Sequence, residues 1–460
     1  MLCDHWAAPI CALKCRHTAT TLPAEDSSIS VPRGASVHLV IFTQYYRPET
    51  GAPQNRLADL AQRVRAMGHE VTVLTAMPNY PSGTVRDAYR RRIIAEDHID
   101  GVRVLRSWIH GHRGRGTAHQ LVGYGSFAAS SLLTAPWRVP RADVLLWESP
   151  PLFLAPTAEL LARRMGARLV MNVSDLWPES AIDLGMLTNA RLIDGFMAMA
   201  RRAYRTSDLV VGQTKGILDG IEAVHPGTPT LLFPNGVDCQ VFASRPRDGE
   251  LAAHLGLPAD RQVFAYAGNF GRAQALGQVT AAARGILAER DDVTVLLIGD
   301  GPVKEDVLAG ASDLDPSRFL VRPSVDASQM PGLLSLIDVA VVPLADQPLF
   351  EGARPSKMFE LMASGIPFVF CGRGEGAELA LESGMARVVA PEAPEELARA
   401  ALDLLATPAN RRDEIAASGR AWVEAHFDRN MIAAELVERL AALADQPKAR
   451  RRLVRMRSEA

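Results

Sequence analysis

The 460-residue chain has few cysteines, few aromatic residues and almost no net charge. Five cysteines are too few for the disulfide framework of a secreted protein, which favours a cytoplasmic protein. With a net charge of −2 and 6% aromatic residues, the chain lacks the basic, aromatic-rich surface typical of nucleic-acid binding. It also lacks a run of 18 or more purely apolar residues, so no membrane-spanning helix is predicted with certainty.

Short apolar runs rich in β-branched residues alternate with helical segments along most of the chain. Val37–Phe42 reads as a strand, a helix follows from Pro53 to Met67, and Val71–Leu74 reads as the next strand. Such β-α-β units form parallel sheets that helices cover. The alternation breaks at the Pro- and Gly-rich segment 225–236 and restarts at Val263. We therefore predict an α/β fold with two Rossmann-like, doubly wound domains that face a central cleft.

Breaks in this pattern and shifts in composition predict five segments. They are an N-terminal extension that is disordered or non-native (1–35), a first Rossmann-like domain (36–215), a second Rossmann-like domain (216–420), a C-terminal helix returning to the first domain (421–447), and a basic tail (448–460). Ligands of such sheets bind beyond the carboxyl ends of the strands, so the cleft between the two domains is the expected site.

The segment Glu351–Glu360 opens a predicted helix after an apolar strand. Ser356 and Lys357 at a helix N-terminus suit a phosphate group. Glu360 lies one turn further on, where a carboxylate can accept hydrogen bonds from a ribose diol. Together these residues, with Glu351, indicate a clamp for a diphosphate and a ribose. The alternative interpretation is a capped helix with surface charges.

Two loops at predicted strand ends add candidate phosphate contacts. Gly268, Gly271 and Arg272 follow the strand 263–267, and guanidinium groups suit bidentate phosphate binding. Gly51 precedes the first helix of the first domain, where the missing side chain would let a phosphate approach. A simple turn glycine is the alternative at position 51.

Two carboxylates and an indole follow the predicted strand 168–173. Asp175 is a candidate general base or ligand of a sugar hydroxyl, and Trp177 and Glu179 are candidate acceptor-binding residues. The alternative is a helix cap by Asp175 with Trp177 packed in the protein. No group of residues with the spacing of a metal site accompanies them.

Five strings in this order resemble the family-4 retaining glycosyltransferases of the GT-B fold. The branch is similar to bacterial transferases of the colanic-acid and O-antigen fucosamine type. The strings are Asp175–Ser180, Phe233–Asp238, Gly268–Gln274, Gly299–Pro302 and Pro355–Glu360.

The resemblance implies hexosyl transfer, with retention of configuration, from a UDP- or GDP-sugar in the synthesis of cell-surface polysaccharide, including lipopolysaccharide. It implies no cofactor and no metal. Arg272 and Lys357 would stabilise the leaving diphosphate, Glu360 would bind ribose, Gly51 would face the phosphates, and the loop at Arg322 would contact the base. The first domain would bind the acceptor and the second the donor. The acceptor would be a polyprenyl-diphosphate-linked saccharide at the inner face of the cytoplasmic membrane.

The chain departs from the family pattern at two positions. The first of the family's two donor-site glutamates falls on Gly352, one residue from Glu351, and the phosphate-binding lysine falls on Gln278. A sugar-nucleotide epimerase of the same fold and a non-catalytic nucleotide-sugar-binding protein therefore stay open as alternatives. A nicotinamide-dependent oxidoreductase is disfavoured, because the first β-α turn lacks G-x-G-x-x-G.

The segment Leu121–Trp137 reads as a buried or surface-docked helix, and arginines are frequent between Arg86 and Arg115. Such a combination can attract an anionic membrane surface. The alternative is an ordinary solvated basic face. We expect a cytoplasmic protein that can associate peripherally with the membrane.

Overall fold

The computed structural model describes residues 36–447 except 50, 81, 112–116, 140, 184 and 186. The predicted N-terminal extension (1–35) and basic tail (448–460) lie outside the described residues. The chain between them forms two lobes, each built on one sheet of mainly parallel strands, as the alternation of strands and helices predicts.

The first lobe contains an eight-stranded sheet. Its strands are β1 (His38–Phe42), β2 (Glu70–Ala76), β3 (Ile94–Ile99), β4 (Val102–Ser107), β5 (Val144–Ser149), β6 (Arg168–Val173), β7 (Leu209–Gly212) and β8 (Thr230–Leu232). The order is β3-β4-β2-β1-β5-β6-β7-β8, and only the edge strand β3 runs antiparallel to its neighbour. The helices of this lobe are α1 (Ala52–Ala66), α2 (Thr117–Thr134), α3 (Ala155–Met165), α4 (Glu179–Asp183), α5 (Ala190–Thr206) and α6 (Lys215–Val224).

The second lobe contains a six-stranded sheet that is parallel throughout. Its strands are β9 (Gln262–Ala267), β10 (Val293–Ile298), β11 (Phe319–Arg322), β12 (Val339–Pro343), β13 (Phe368–Cys371) and β14 (Ala386–Val389), in the order β11-β10-β9-β12-β13-β14. Its helices are α7 (Gly249–Leu255), α8 (Gly277–Glu289), α9 (Lys304–Gly310), α10 (Met330–Leu334), α11 (Ser356–Ser364), α12 (Glu375–Glu382), α13 (Pro394–Leu405) and α14 (Ala409–Phe427).

Both sheets are buried on both faces. In β1, Leu39 and Ile41 belong to one apolar cluster, whereas Val40 and Phe42 belong to another on the opposite face. Strands that bury both faces read as continuous apolar runs, which is why these strands were recognisable in the sequence. The parallel strands bring the loops that follow them to one edge of each sheet.

The boundary between the lobes lies later than predicted. Strand β8 pairs in parallel with β7 and extends the first sheet to Leu232, so the first lobe does not end at residue 215. Similarly, α14 packs against α11 and continues to Phe427, so the second lobe does not end at residue 420. The chain connects the lobes through the segment 233–238.

The last helix, α15 (Arg429–Asp445), packs on the first lobe. Asp428 caps it by accepting hydrogen bonds from the backbone amides of Asn430 and Met431. Buried Ile432 and Leu436 then join the apolar cluster around α1. The chain therefore crosses between the lobes twice, and the two crossings bond to each other where the Val237 amide donates to the Phe427 carbonyl, at 2.9 Å.

The apolar segment around Leu121 forms α2, which continues as a short 3-10 helix, Ala135–Trp137. Its Phe127 is buried against Phe42, with ring centroids 5.8 Å apart. Among the residues that the structure describes, no helix has the length and apolar character needed to cross a membrane.

Candidate active site

Two adjoining cavities lie between the lobes. The larger, about 440 Å³, includes residues of α1, α11 and α15, and the other, about 430 Å³, includes residues around Asp175 and Arg354. Ser174, Gln213 and Asn235 line both cavities, so the two form one continuous cleft. Ser174 follows β6 and Gln213 follows β7, so this cleft lies at the carboxyl edge of the first sheet, where ligands of such sheets bind.

Lys357 lies in the first turn of α11, and its ammonium rests on an aromatic ring. The Nζ atom is 4.0 Å from the centroid of the buried Tyr266 ring at the end of β9. A Cβ atom at position 268 would lie 2.6 Å from Nζ, and Gly268 has a φ of +147°, so both space and backbone require glycine there. Burial lowers the pKa of Lys357 to about 8. Within the described part of the chain the ammonium has no hydrogen-bond acceptor.

Glu360 lies one turn after Lys357 on the same face of α11. It lines the larger cavity, and burial raises the pKa of its carboxyl group above the usual value. The charges of Arg429 and Lys357 oppose this shift. Arg429 reaches the cavity from the start of α15, where its Nε donates to the Gly236 carbonyl at 2.8 Å.

Ser356 is the first residue of α11 and lines the larger cavity. The preceding N-cap residue is Pro355, and no side chain caps the first amides of the helix. Ser356 itself lies inside the first turn, so its hydroxyl does not act as the N-cap. The helix begins at the cleft with uncapped amides, which favours an anion there.

Arg272 and Arg322 have different surroundings. Arg272 is exposed in a short 3-10 turn directly after the loop that contains Gly268, and its side chain has no ion-pair partner among the described residues. The Arg322 guanidinium turns away from both cavities and donates to the Leu255 carbonyl at the end of α7, at 2.9 Å. A contact of this loop with the base, largely through its backbone, stays a prediction.

Gly51 and Glu351 lie outside the linings of the two cavities. The residue before α1 is Gly51, where a Cβ atom would lie 2.4 Å from the Gln54 Oε1, at the end of a side chain that can shift. The side chain of Glu351 is exposed, while its carbonyl accepts the Glu375 amide at 2.8 Å. Gly352 lines the smaller cavity instead.

The predicted acceptor residues separate in the structure. Asp175 and Glu179 line the smaller cavity, and the Ser180 hydroxyl donates to Asp175 at 2.8 Å. Desolvation raises the pKa of Asp175, and the hydrogen bond from Ser180 opposes that shift. Trp177 packs in an aromatic cluster, 4.8 Å from the Phe196 centroid, and does not line either cavity. The ring contact agrees with the packing alternative for Trp177, and a contact of Trp177 with a sugar stays a prediction.

A buried ion pair that the sequence interpretation missed supports the larger cavity. Arg56 of α1 lines this cavity and pairs with Glu148, which is 2% exposed at the end of β5. The same carboxylate accepts hydrogen bonds from Asn172 at 2.6 Å and from Ser174 at 2.7 Å. Asp175 is predicted as a site residue because it is a carboxylate at the carboxyl end of a buried strand. Glu148 has the same position in its own strand and could have been predicted in the same way.

A second missed ion pair lies in the second lobe, and its carboxylate also contacts the first lobe. Arg354 of the loop before α11 donates to Glu375 at 2.6 Å, and both side chains are largely buried. Glu375 also accepts the backbone amide of Gly216 at 2.5 Å and that of Lys215 at 3.3 Å, at the N-terminus of α6. This carboxylate therefore ties the loop of the second lobe to a helix of the first.

Gln278 stands where the resembled family has a lysine, and it has a structural contact. It is buried, its amide nitrogen donates to the Leu344 carbonyl, and its oxygen accepts the Glu392 amide. Among the described residues no group of three or more His, Cys, Asp or Glu is placed to hold a metal ion.

Two family models match the chain. Residues 51–236 match the model described as "Glycosyl transferase 4-like domain", and residues 261–407 match the one described as "Glycosyl transferases group 1". The two matches coincide with the two lobes.

Curated relatives match over both lobes. The "Putative colanic acid biosynthesis glycosyl transferase WcaI" of Escherichia coli (strain K12) is 26% identical over 344 residues, which cover 71% of this chain and 81% of the relative. The "Probable glycosyltransferase WbjE" of Pseudomonas aeruginosa is 26% identical over 287 residues, covering 60% of this chain and 69% of the relative.

Solved structures share the two-lobed fold. Sucrose-phosphate synthase from Thermosynechococcus elongatus has a TM-score of 0.65 at 17% identity, covering 88% of this chain and 99% of that one. Anabaena Alr3699/HepE in complex with UDP-glucose has a TM-score of 0.62 at 16% identity, covering 88% of this chain and 100% of that one. At these identities the likeness establishes the fold, which is GT-B.

Proposed function

Since the chain belongs to the glycosyl transferase 4-like and group 1 families, we propose that this glycosyltransferase moves a sugar from a UDP- or GDP-sugar to a saccharide acceptor, with retention of configuration. The observation that carries the donor assignment is the pairing of Lys357 and Glu360 on one face of α11. Residues three apart on a helix lie on the same side. A half-buried ammonium with no acceptor among the described residues suits a diphosphate, and the neighbouring carboxylate of Glu360, which lines the larger cavity, suits a ribose diol.

The structure of Alr3699/HepE in complex with UDP-glucose supports a nucleotide sugar as the donor of this chain. In the proposed transfer the acceptor hydroxyl forms a bond to the anomeric carbon as the bond from that carbon to the diphosphate oxygen breaks. Attack comes from the same face, and the departing phosphate takes the hydroxyl proton. Lys357 and Arg272 offset the charge that develops on the diphosphate, so positioning and electrostatics supply the catalysis without metal or cofactor.

Asp175 and Glu179 line the smaller cavity, and we assign this cavity to the acceptor. Asp175 would accept a hydrogen bond from the acceptor hydroxyl and so position it for attack, while the proton of that hydroxyl passes to the departing phosphate. The similarity to WcaI, a colanic acid biosynthesis glycosyl transferase by its name, supports a role in polysaccharide synthesis with a polyprenyl-diphosphate-linked acceptor.

Transfer assays with labelled UDP- and GDP-sugars test this function. Purified protein is incubated with each donor, with and without a polyprenyl-diphosphate-linked saccharide, and products are separated by chromatography. We expect a glycosylated lipid whose new linkage keeps the anomeric configuration of the donor. Conversion of the donor to an epimer would indicate the epimerase. Donor binding without any turnover would indicate a binding protein.

Replacement of Glu360 tests the ribose contact. We expect Glu360→Ala to weaken nucleoside diphosphate binding about 10- to 100-fold, because hydrogen bonds to a charged group are lost. Burial raises the pKa of Glu360. The affinity of the wild type should therefore fall as the pH is lowered, because the protonated carboxyl is a weaker acceptor. This fall should begin at a higher pH than for a glutamate with an ordinary pKa. Titration calorimetry from pH 8 down to pH 5 measures both effects.

Glu360→Gln and Glu378→Gln are the matched controls. Glu360→Gln keeps the shape but cannot titrate, so its affinity should be lower and should not depend on pH in the acid range. Glu378 is exposed on α12 of the same lobe, and its replacement should leave wild-type behaviour. Unchanged affinity and acid dependence in Glu360→Ala would contradict the ribose assignment.

We also propose that the first lobe docks on an anionic membrane surface. Trp137 is 80% and Leu133 is 73% exposed at the end of α2, and exposed Leu160 belongs to α3, which packs against α2. The Arg164 guanidinium lies over the Trp137 ring, 4.9 Å from its centroid. Large apolar side chains beside arginines suit a bilayer with acidic headgroups.

Vesicle sedimentation tests this docking. We expect Trp137→Glu to lower binding to vesicles of phosphatidylglycerol and phosphatidylcholine about tenfold, because the aromatic side chain that would enter the bilayer is lost. Leu381→Glu is the control, since Leu381 is 61% exposed in the second lobe. Equal binding of both variants and the wild type would overturn the assignment.

A further inference from the structure

The amides of Gln213 and Asn235 meet at the junction of the two cavities. Gln213 follows β7 in the first lobe, and Asn235 lies in the segment that connects the lobes. Both residues line both cavities. The Asn235 Nδ2 donates to the Gln213 Oε1 at 2.8 Å, so the two side chains form one unit.

This contact uses only half of each amide. The Gln213 Nε2 and the Asn235 Oδ1 are buried and have no hydrogen-bond partner among the described residues. If both amides were turned over, the same contact would again leave one nitrogen and one oxygen unpaired. The pair therefore holds one unpaired donor and one unpaired acceptor in the lining of both cavities, whichever way the amides are assigned.

A group that accepts one hydrogen bond and donates another would satisfy both atoms. A hydroxyl does this, whereas a phosphate or carboxylate only accepts and an ammonium only donates. The cavities on either side, of about 440 and 430 Å³, each have the size of a small-ligand pocket. A ligand rich in hydroxyl groups that extends through both cavities would pass this pair.

We propose that the Gln213–Asn235 pair binds one sugar hydroxyl and makes the enzyme selective for sugars that carry it. The inference rests on the proposed function and adds a specificity-determining contact to it. The hydroxyl belongs either to the transferred sugar of the donor or to the acceptor saccharide. A sugar that lacks it would leave both buried groups unpaired, which is the situation in which enzymes discriminate strongly.

Deoxy sugars provide the test. The kcat/KM of the wild type is measured with a working donor and acceptor pair and with analogues that lack one hydroxyl at a time, first on the donor sugar and then on the acceptor. Gln213→Met and Asn235→Leu, which keep the side-chain size without the amide, are measured with the same set. Gln240→Met is the control, because Gln240 is exposed shortly after Asn235.

We expect the wild type and Gln240→Met to disfavour one deoxy analogue by about 10- to 100-fold, the effect of one or two hydrogen bonds. Both cleft variants should react with this analogue and its parent at nearly equal rates. Whether the analogue is a donor or an acceptor identifies the source of the hydroxyl. A purely structural role would lower all rates and leave the ratios unchanged.

The inference is overturned if both variants keep the wild-type ratio at every position, or if the wild type shows no preference at any position. Nucleoside diphosphate binding verifies that each variant is folded. If only one of the two variants folds, that variant alone is compared with the wild type. Failure of the proposed function itself would look different, because the wild type would then transfer no sugar at all.

Discussion

Lys357→Ala is expected to reduce the rate of sugar transfer about 10²- to 10³-fold, the cost of removing one preorganised group that stabilises transition-state charge. The ammonium rests 4.0 Å from the centroid of the Tyr266 ring and lies against Gly268, so it is fixed before any ligand binds. Its charge can act on the leaving diphosphate without reorganisation. Single-turnover transfer at saturating donor and acceptor measures the effect on the chemical step.

The pH dependence gives an independent check. Burial lowers the pKa of Lys357 to about 8 in the free enzyme. The lysine is charged below this pH, so kcat/KM should fall as pH rises through about 8. Lys357→Arg stays protonated throughout this range, so it should lose the alkaline limb even if its rate is lower.

Lys304→Ala serves as the control for charge alone, because Lys304 lies in the same lobe and pairs with Asp300 at 3.1 Å. It should transfer sugar at the wild-type rate. If Lys357→Ala remained within a few-fold of this control, with an unchanged thermal midpoint, Lys357 would not be part of the catalytic machinery.

Arg272→Ala is expected to lower the transfer rate by about 10²-fold, since the guanidinium would form charge-assisted hydrogen bonds to the same diphosphate. Arg272 is exposed and has no ion-pair partner within the described residues, so the substitution should hardly change stability. Transfer rate and thermal midpoint, measured on the same preparation, separate these two effects.

Arg387→Ala is the matched control, because Arg387 is exposed on the edge strand β14 of the same lobe. If Arg272 and Lys357 act on one leaving group, the double variant should lose less than the product of the two single effects. A normal rate for Arg272→Ala, or fully independent effects in the double variant, would count against a shared role.

The sequence indicated the α/β alternation because buried parallel strands appear as uninterrupted apolar runs, as in His38–Phe42 and Val293–Ile298. The lobe boundaries predicted from the sequence were wrong for a related reason. Strand β8 has only three residues, all half-buried, so it carries little apolar signal. Helix α14 continues past residue 420 without a break and ends only at Phe427, before the cap at Asp428.

Within the candidate site, the sequence pattern predicted the positions of residues that belong to a single helix start or a single strand end. Ser356, Lys357 and Glu360 share the start of α11, and Asp175 and Glu179 follow β6, so their neighbourhoods were readable along the chain. The contacts of the Trp177 ring with Phe196 and of the Arg322 side chain with the Leu255 carbonyl join residues distant in sequence, which local pattern does not report.

The sequence by itself thus determined the two-lobed α/β architecture, the helix that carries Lys357 and Glu360, and the family. Only the tertiary structure decided which groups meet in and around the cleft. Glu375 reaches the amides of α6, Arg56 pairs with Glu148, and Gln213 contacts Asn235. The physical reason is that periodicity and capping report contacts within a few residues, whereas these partners are brought together by the packing of separate elements and lobes.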